Sequence, residues 1–301
     1  MRDGRLSRPT VGFGIPYYSR PDYLASALAS LLVQTDPDWV AVVIDDASPE
    51  GGAEELVAAL ADPRIRYVRN VTNLGLAENF NRCLAEPGTD VVAIFHADDM
   101  LEPGYVATIR RLHAEHPIAT CVAPLARSID ADGAAIDTMV DKMKRRLWPR
   151  AQTYELHGDR GLARLMHGFF VYCPAISYRP ALLPQPWFDA SWRQVMDVEL
   201  FARILLHDGT FVVDRTVAYA YRRHDGTVTA QNGRQFTRLA EETAIARLIA
   251  DQARSKGWRR TAFAARLRWS VRLNGALAMA ANRRSGRKAL GAALRDVIGP
   301  R

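Results

Sequence analysis

Two short apolar runs, each ending in a pair of aspartates, constrain this chain more than any other feature. Val42-Val43-Ile44 leads into Asp45-Asp46, and Val91-Val92-Ala93-Ile94-Phe95 leads through His96-Ala97 into Asp98-Asp99. Runs this short, β-branched and apolar at successive positions, read as strands buried on both faces, the habit of a parallel sheet. In open α/β sheets, ligands bind beyond the carboxyl ends of the strands. Four carboxylates there repel a bare phosphate, but they suit a divalent cation that in turn holds a diphosphate. Asp is also a favoured helix N-cap, so capping explains one such pair equally well. Two pairs after two buried strands point to a site.

The surrounding pattern alternates strand and helix. Thr10 to Ile15 reads as a strand ended by Pro16, and Pro21-Asp22 opens a helix through Leu24, Leu28, Leu31 and Leu32. Trp39 to Asp45, Ile65 to Val68 and Val91 to Phe95 are further strands, with helices over Glu54 to Leu60, Ala77 to Leu84 and from Pro103. Such alternation is the mark of right-handed βαβ units and a largely parallel sheet. The rhythm changes near residue 120. Cys121 to Leu125 and Phe169 to Tyr178 read as strands, Val195 to His207 as an amphipathic helix, and Phe211 to Val213 and Val217 to Tyr221 as two short strands. The cation-rich stretch Asp141 to Arg150 reads as an exposed loop, and from Phe236 the pattern is helical to the end.

A chain of 301 residues, 48% hydrophobic and 24% charged, is globular rather than disordered. Cys83, Cys121 and Cys173 lie far apart without metal-ligand spacing, as expected of a reducing cytoplasm. No signal-peptide core and no run of 18 apolar residues is visible, so a soluble cytoplasmic protein is expected. The net charge of +7 is uneven: Arg254 to Arg301 hold 13 Lys and Arg against one acid, a +12 tail that leaves −5 for residues 1–253. Either this tail meets an anionic surface or it is a solvated, Arg-rich helical face.

The ordered series Gly14-Ile15-Pro16-Tyr17-Tyr18-Ser19-Arg20, Gln34-Thr35, Val43-Ile44-Asp45-Asp46-Ala47-Ser48, Asn73-Leu74-Gly75, Asn81 and His96-Ala97-Asp98-Asp99 with Pro103 resembles the family 2 glycosyltransferases. The match covers roughly residues 10–125 and continues more weakly through Met196-Asp197-Val198-Glu199 and Tyr221-Arg222-Arg223-His224. The resemblance implies a GT-A fold: a mostly parallel nucleotide-binding sheet flanked by helices. It places a catalytic domain at residues 8–235, with a nucleotide-sugar half at 8–125 and an acceptor half at 126–235, followed by a basic helical extension at 236–301. It also implies transfer of a sugar from a UDP- or dTDP-sugar to an acceptor hydroxyl, inverting the anomeric centre, with Mn²⁺ or Mg²⁺.

By the same resemblance, donor contacts fall on Pro16, Tyr18, Asp46, Asn73, Ala97, Asp98 and Arg222, and metal ligands on Asp98, Asp99 and His224. A carboxylate at Asp46 suits uracil or thymine, which offer an N3–H donor; the alternative is a turn cap through Ser48. The family's first metal-motif acid is His96 here, which either binds a metal through nitrogen, accepting Mn²⁺ more readily than Mg²⁺, or hydrogen-bonds the ribose or packs. Asp197 matches the catalytic base, although the Glu usually before it is Met196; both Asp197 and Glu199 could equally serve a helix dipole.

The tail segment Trp258 to Leu277, with Ala262, Ala265, Trp269 and Leu273 near one face, either lies on anionic lipid at the inner face of the membrane or packs on the catalytic domain or against a second copy. No nucleic-acid partner is expected. A nucleotidylyltransferase is disfavoured because the loop after the first strand, Pro16 to Pro21, has no glycine. A non-catalytic nucleotide-sugar binder is the remaining alternative, given His96 and Met196.

Overall fold

The computed structural model describes residues 10–224 and 235–267. The first half is built from strands β1 (Val11–Tyr17), β2 (Trp39–Asp45), β3 (Ile65–Arg69), β4 (Val91–Ile94) and β5 (Met100–Leu101), with helices α1 (Pro21–Leu32), α2 (Ala53–Leu60), α3 (Leu76–Ala85) and α4 (Tyr105–Glu115). The second half adds β6 (Ala119–Ile129), β7 (Ala135–Ile136), α5 (Met139–Leu147), β8 (Thr153–Leu156), α6 (Gly158–His167), β9 (Ser177–Tyr178), α7 (Met196–Leu206) and β10 (Thr210–Arg222). Helices α8 (Gln235–Ser255) and α9 (Arg259–Leu267) follow.

All strands join one sheet in the order β3-β2-β1-β4-β9-β6-β10-β5, with β7 and β8 as side pairings. β3, β2, β1 and β4 are parallel, as the alternation predicts. β9 runs antiparallel between β4 and β6, and β10 returns parallel to β6. Successive side chains serve opposite faces. Ala41 and Val43 join Phe13, Ile15, Leu24, Leu28 and Ile109 in one core layer, while Val42 and Ile44 join Phe80, Leu84, Leu200 and Phe201 in the other. Gly14 permits the second layer: a Cβ there would stand 2.2 Å from the Cys83 carbonyl oxygen, so only glycine lets α3 lie this close to β1.

Three expectations need correction. The cation-rich stretch is not a loop but helix α5, started by a capping box in which Thr138 and Asp141 exchange hydrogen bonds. Phe169 to Tyr178 is a strand only at Ser177–Tyr178, because Pro174 sits in a single 3₁₀ turn. The two short strands after residue 210 are one, β10, bent by register shifts between Asp214 and Tyr219. There the buried Asp214 carboxylate accepts from Thr216 N and Thr153 Oγ1.

Helices α8 and α9 share the second core layer, since Ile245, Ile249, Ala250 and Ala265 pack with Val195 and Leu200. Asp159 of α6 accepts from the backbone of Arg260 and Thr261, tying α9 to α6. Ala262 and Ala265 are therefore buried, which is the packing alternative; Trp269 and Leu273 lie outside the described residues. Among the described residues, no helix is long and apolar enough to cross a membrane.

Candidate active site

The parallel register sets the site. Tyr17 pairs with Asp45, and Gly14 pairs with Ile94, so the carboxyl ends of β2, β1 and β4 lie side by side. The acidic pairs therefore follow the two strands that flank β1, at the same edge of the sheet.

Within the first pair the two carboxylates divide the work. Asp45 is wholly buried and accepts from Ser48 N at 2.6 Å, Ser48 Oγ at 2.9 Å, Tyr67 OH at 2.6 Å and Arg69 Nη1 at 2.6 Å. Burial pushes its carboxyl up, but the hydrogen bonds from Tyr67 and Ser48 and the Arg69 charge outweigh this and hold it below its ordinary value. The turn through Ser48 is thus held by Asp45, not by Asp46. Asp46 accepts from Asn70 Nδ2 at 2.7 Å, Leu74 N at 2.8 Å and Gly75 N at 3.0 Å. With two bonds on Oδ1 and one on Oδ2, acceptor capacity remains for one more N–H donor. Asn73 caps the same turn by accepting from Gly75 N at 2.9 Å, while Pro16 lies within β1 and Tyr18 stands 48% exposed just beyond it.

The second pair is held from far along the chain. Asp99 is buried, and its two oxygens accept from Tyr219 OH at 2.8 Å and Arg222 N at 2.7 Å. Burial, then repulsion from Asp98, raises its carboxyl well above the ordinary value. Asp98 is the more open of the two, its side chain 34% exposed, and it pairs with His224 Nε2 at 2.9 Å. Burial acts to raise its carboxyl, yet the hydrogen bond from His224 keeps it below the usual range. Arg222, expected to meet a diphosphate, instead gives Nε to the Asp98 carbonyl at 2.7 Å and Nη1 to the carbonyls of Asp130 and Ala131. Its neighbour Arg223 is likewise taken, by Ser128 Oγ, Tyr172 OH and Asp141. Arg222 is thus a strut of the motif loop, while Arg223 ties the end of β10 to β6 and α5.

His96, Asp98 and Asp99 bring one ligand atom each within 4.8 Å of one another. His96 Nε2 is buried with no hydrogen-bond partner, as a ring poised to ligate would be, and desolvation lowers its pKa so that nitrogen stays neutral. An imidazole with carboxylates fits a divalent cation of borderline softness. His224 belongs to the same assembly through Asp98, and Ala97 lies between the two ligand positions.

Asp197 lies in the first turn of α7 near this cluster, since its charge and that of Asp98 both act on His96. It also touches Cys173, whose thiol burial raises well above its ordinary pKa. Glu199 does different work: with Arg203 it forms an ion pair from which Arg203 reaches the carbonyls of Pro184 and Trp187. Reading the sequence overlooked two groups. Asn81 exchanges hydrogen bonds with the backbone of Phe188 at 2.8 and 3.0 Å, pinning the segment before α7 to α3. Tyr23 packs against Arg20, Arg222 and His224 at once. Asn81 stands in the motif series with no partner legible from its neighbours, and nothing in the residues around Tyr23 marks it as a meeting point of these side chains.

The chain matches the family model for glycosyl transferase family 2 over residues 13–177. It is 26% identical over 223 residues to the succinoglycan biosynthesis protein ExoO of Rhizobium meliloti, covering 73% of this chain and 63% of that one. Its fold resembles S. aureus TarS 1-349 in complex with UDP-GlcNAc, with a TM-score of 0.57 and 17% identity over 81% of this chain and 66% of that one. It also resembles the mannosyltransferase PcManGT of Pyrobaculum calidifontis in complex with GDP-Man and Mn²⁺, with a TM-score of 0.58 and 16% identity over 96% and 81%. This chain thus spans slightly under two thirds of ExoO and of TarS 1-349. With a matched region of more than half its length, and with the paired-aspartate edge that region forms, the chain belongs to glycosyl transferase family 2.

Proposed function

We propose that this chain is a metal-dependent, inverting glycosyltransferase that moves a sugar from a nucleoside-diphosphate donor to an acceptor hydroxyl in the synthesis of an envelope polysaccharide or related glycoconjugate. The observation that carries the reading is the half-buried ring of His96, whose Nε2 has no hydrogen-bond partner and on which the charges of Asp98 and Asp197 act from distant parts of the chain. A leaving diphosphate and an attacking hydroxyl need opposite assistance in one place, and this arrangement supplies a candidate for each. Asp98 and His96, with His224 and Asp99 beside them, would hold a divalent cation that neutralises charge on the departing diphosphate. Asp197 takes the proton of the acceptor hydroxyl as its oxygen attacks the anomeric carbon, so one carboxylate suffices and no covalent intermediate is needed. Asp46, with acceptor capacity left, takes the ring N–H of the donor base; uracil and thymine offer one at N3. The similarity to ExoO, a succinoglycan biosynthesis protein, supports polysaccharide assembly as the setting.

The test is incubation with UDP-, dTDP- and GDP-sugars and Mn²⁺, reading slow release of the nucleoside diphosphate. Donor hydrolysis that requires the cation and disappears in Asp98→Ala is the expected result. Tight nucleotide binding with no turnover on any donor or acceptor would replace the enzyme with a non-catalytic binder.

A further inference from the structure

We infer that helix α5 is a docking surface for an anionic lipid bilayer. Its inward face is fixed: Asp141 is buried and accepts from Ser128 Oγ at 2.8 Å and from Thr138 N at 2.7 Å, and Lys144 donates to the carbonyls of Phe169 at 3.1 Å and Val171 at 2.7 Å. Its outward face is apolar where a solvated helix would be polar. Met139, Met143 and Leu147, one above the other at i, i+4 and i+8, are 71%, 44% and 37% exposed, with Val140 beside them at 48%. The basic side chains Lys142 and Arg146 are exposed on the turns between them. An apolar stripe edged by cations is the pattern by which an amphipathic helix settles into a headgroup layer: the methionines and leucine enter the acyl boundary while the cations meet lipid phosphates.

Charge decides between occupants. Residues 268–301 carry eight Lys and Arg against one acid, so the chain's own tail has the wrong sign to cover α5. A second copy docking α5 on α5 would oppose Lys142 and Arg146 to their own duplicates. An anionic bilayer complements both the stripe and its cations. The consequence concerns the acceptor: through Lys144 and Asp141 the helix grips the Phe169–Val171 segment and Arg223, which lead to Cys173 beside Asp197 and to His224 beside Asp98. A bilayer on α5 would bring lipid-anchored hydroxyls to the acceptor half. The surface itself does not depend on the donor or cation assignment.

The experiment is flotation of the full chain with phosphatidylcholine vesicles, with and without phosphatidylglycerol, comparing wild type with Met143→Glu/Arg146→Glu. Wild type should float with the anionic vesicles and far less with the neutral ones. The double variant should lose about tenfold or more of that partitioning, while Met143→Leu/Arg146→Lys keeps it. Both positions are exposed, so an unchanged thermal midpoint certifies folding; should the double variant unfold, Lys142→Gln/Leu147→Gln takes its place under the same criterion. Undiminished flotation of the substituted chain overturns the inference, as does wild type that ignores anionic vesicles. So does a wild-type dimer in sedimentation that the substitutions dissociate, which would make a second copy the occupant. Donor hydrolysis measured on the same samples separates failure of docking from failure of the enzymatic reading.

Discussion

His113 gives the chain a pH-dependent stability that can be worked out and tested. Its ring lies fully buried between α4 and the sheet, with Nε2 3.0 Å from Ser177 Oγ and Nδ1 without a partner. Desolvation, reinforced by the nearby charges of Arg179 and His116, lowers its pKa from 6.5 to about 3. The unfolded chain titrates near the ordinary value and so binds the proton first as pH falls. Stability is therefore full above about pH 7 and declines as pH drops from 6.5 toward 3. The two pKa values imply a loss of about 2 kcal/mol by pH 5, growing to between 4 and 5 kcal/mol near pH 3, as an order of magnitude. Depressed carboxylates such as Asp45 and Asp214 lose their own stabilisation only below about pH 4, whereas Asp99, raised by burial, acts above that pH in the opposite sense to His113. His96 acts in the same sense as His113, which is why the comparison must be with a variant. Urea unfolding across pH 5 to 8 of wild type and His113→Gln measures the difference directly. The variant starts less stable at pH 8 and should show a flatter profile, the two curves converging by about 2 kcal/mol at pH 5. Parallel curves, or an NMR titration placing the His113 ring near 6.5 in the folded chain, would refute the reasoning.

Three further outcomes follow from the site. Asp197→Asn should lower kcat by about two to four orders of magnitude while nucleotide affinity by calorimetry stays within twofold, because the base acts only as the proton moves. Asp45→Asn should cost about 2 kcal/mol in urea unfolding, since an amide cannot accept from all four donors; the low end applies because Arg69, 44% exposed, can turn to water. Asn81→Ala removes both hydrogen bonds to Phe188 and should cost about 1 to 2 kcal/mol, with faster limited proteolysis between residues 182 and 195 as its signature.

What the sequence disclosed was local, and what it withheld depended on distant partners. Val42 to Asp46 and Val91 to Asp99 announced two buried strands and the edge where they end, because strand periodicity and acid pairs are written in consecutive residues. Helix α5 was missed although its capping box, Thr138 with Asp141, and its spacing of Met139, Met143 and Leu147 were present; four cations and Pro149 outweighed them. The roles of Arg222 and Arg223 could not be read at all. A forked donor suits a diphosphate and a backbone carbonyl equally well, and which it meets is decided by how β10 lies against β6.

The same point bears on where the activity resides. The family match ends at residue 177, yet Asp197 and three of the groups that hold the second acidic pair, Tyr219, Arg222 and His224, lie beyond it. A loop bearing Asp98 has no rigid position of its own, since the strand before it stops at Ile94 and only a two-residue strand follows. Its geometry is imposed by β10, which binds Asp99 through one side chain and one backbone amide and clasps the Asp98 carbonyl with a guanidinium. A cation site needs its ligands held to within a few tenths of an ångström. It follows that the matched segment, although it contains every ligand of the His96–Asp98–Asp99 cluster, would not assemble that cluster without β10. The segment beyond the matched region is therefore part of the cluster's structure, and it also carries Asp197, the proposed base.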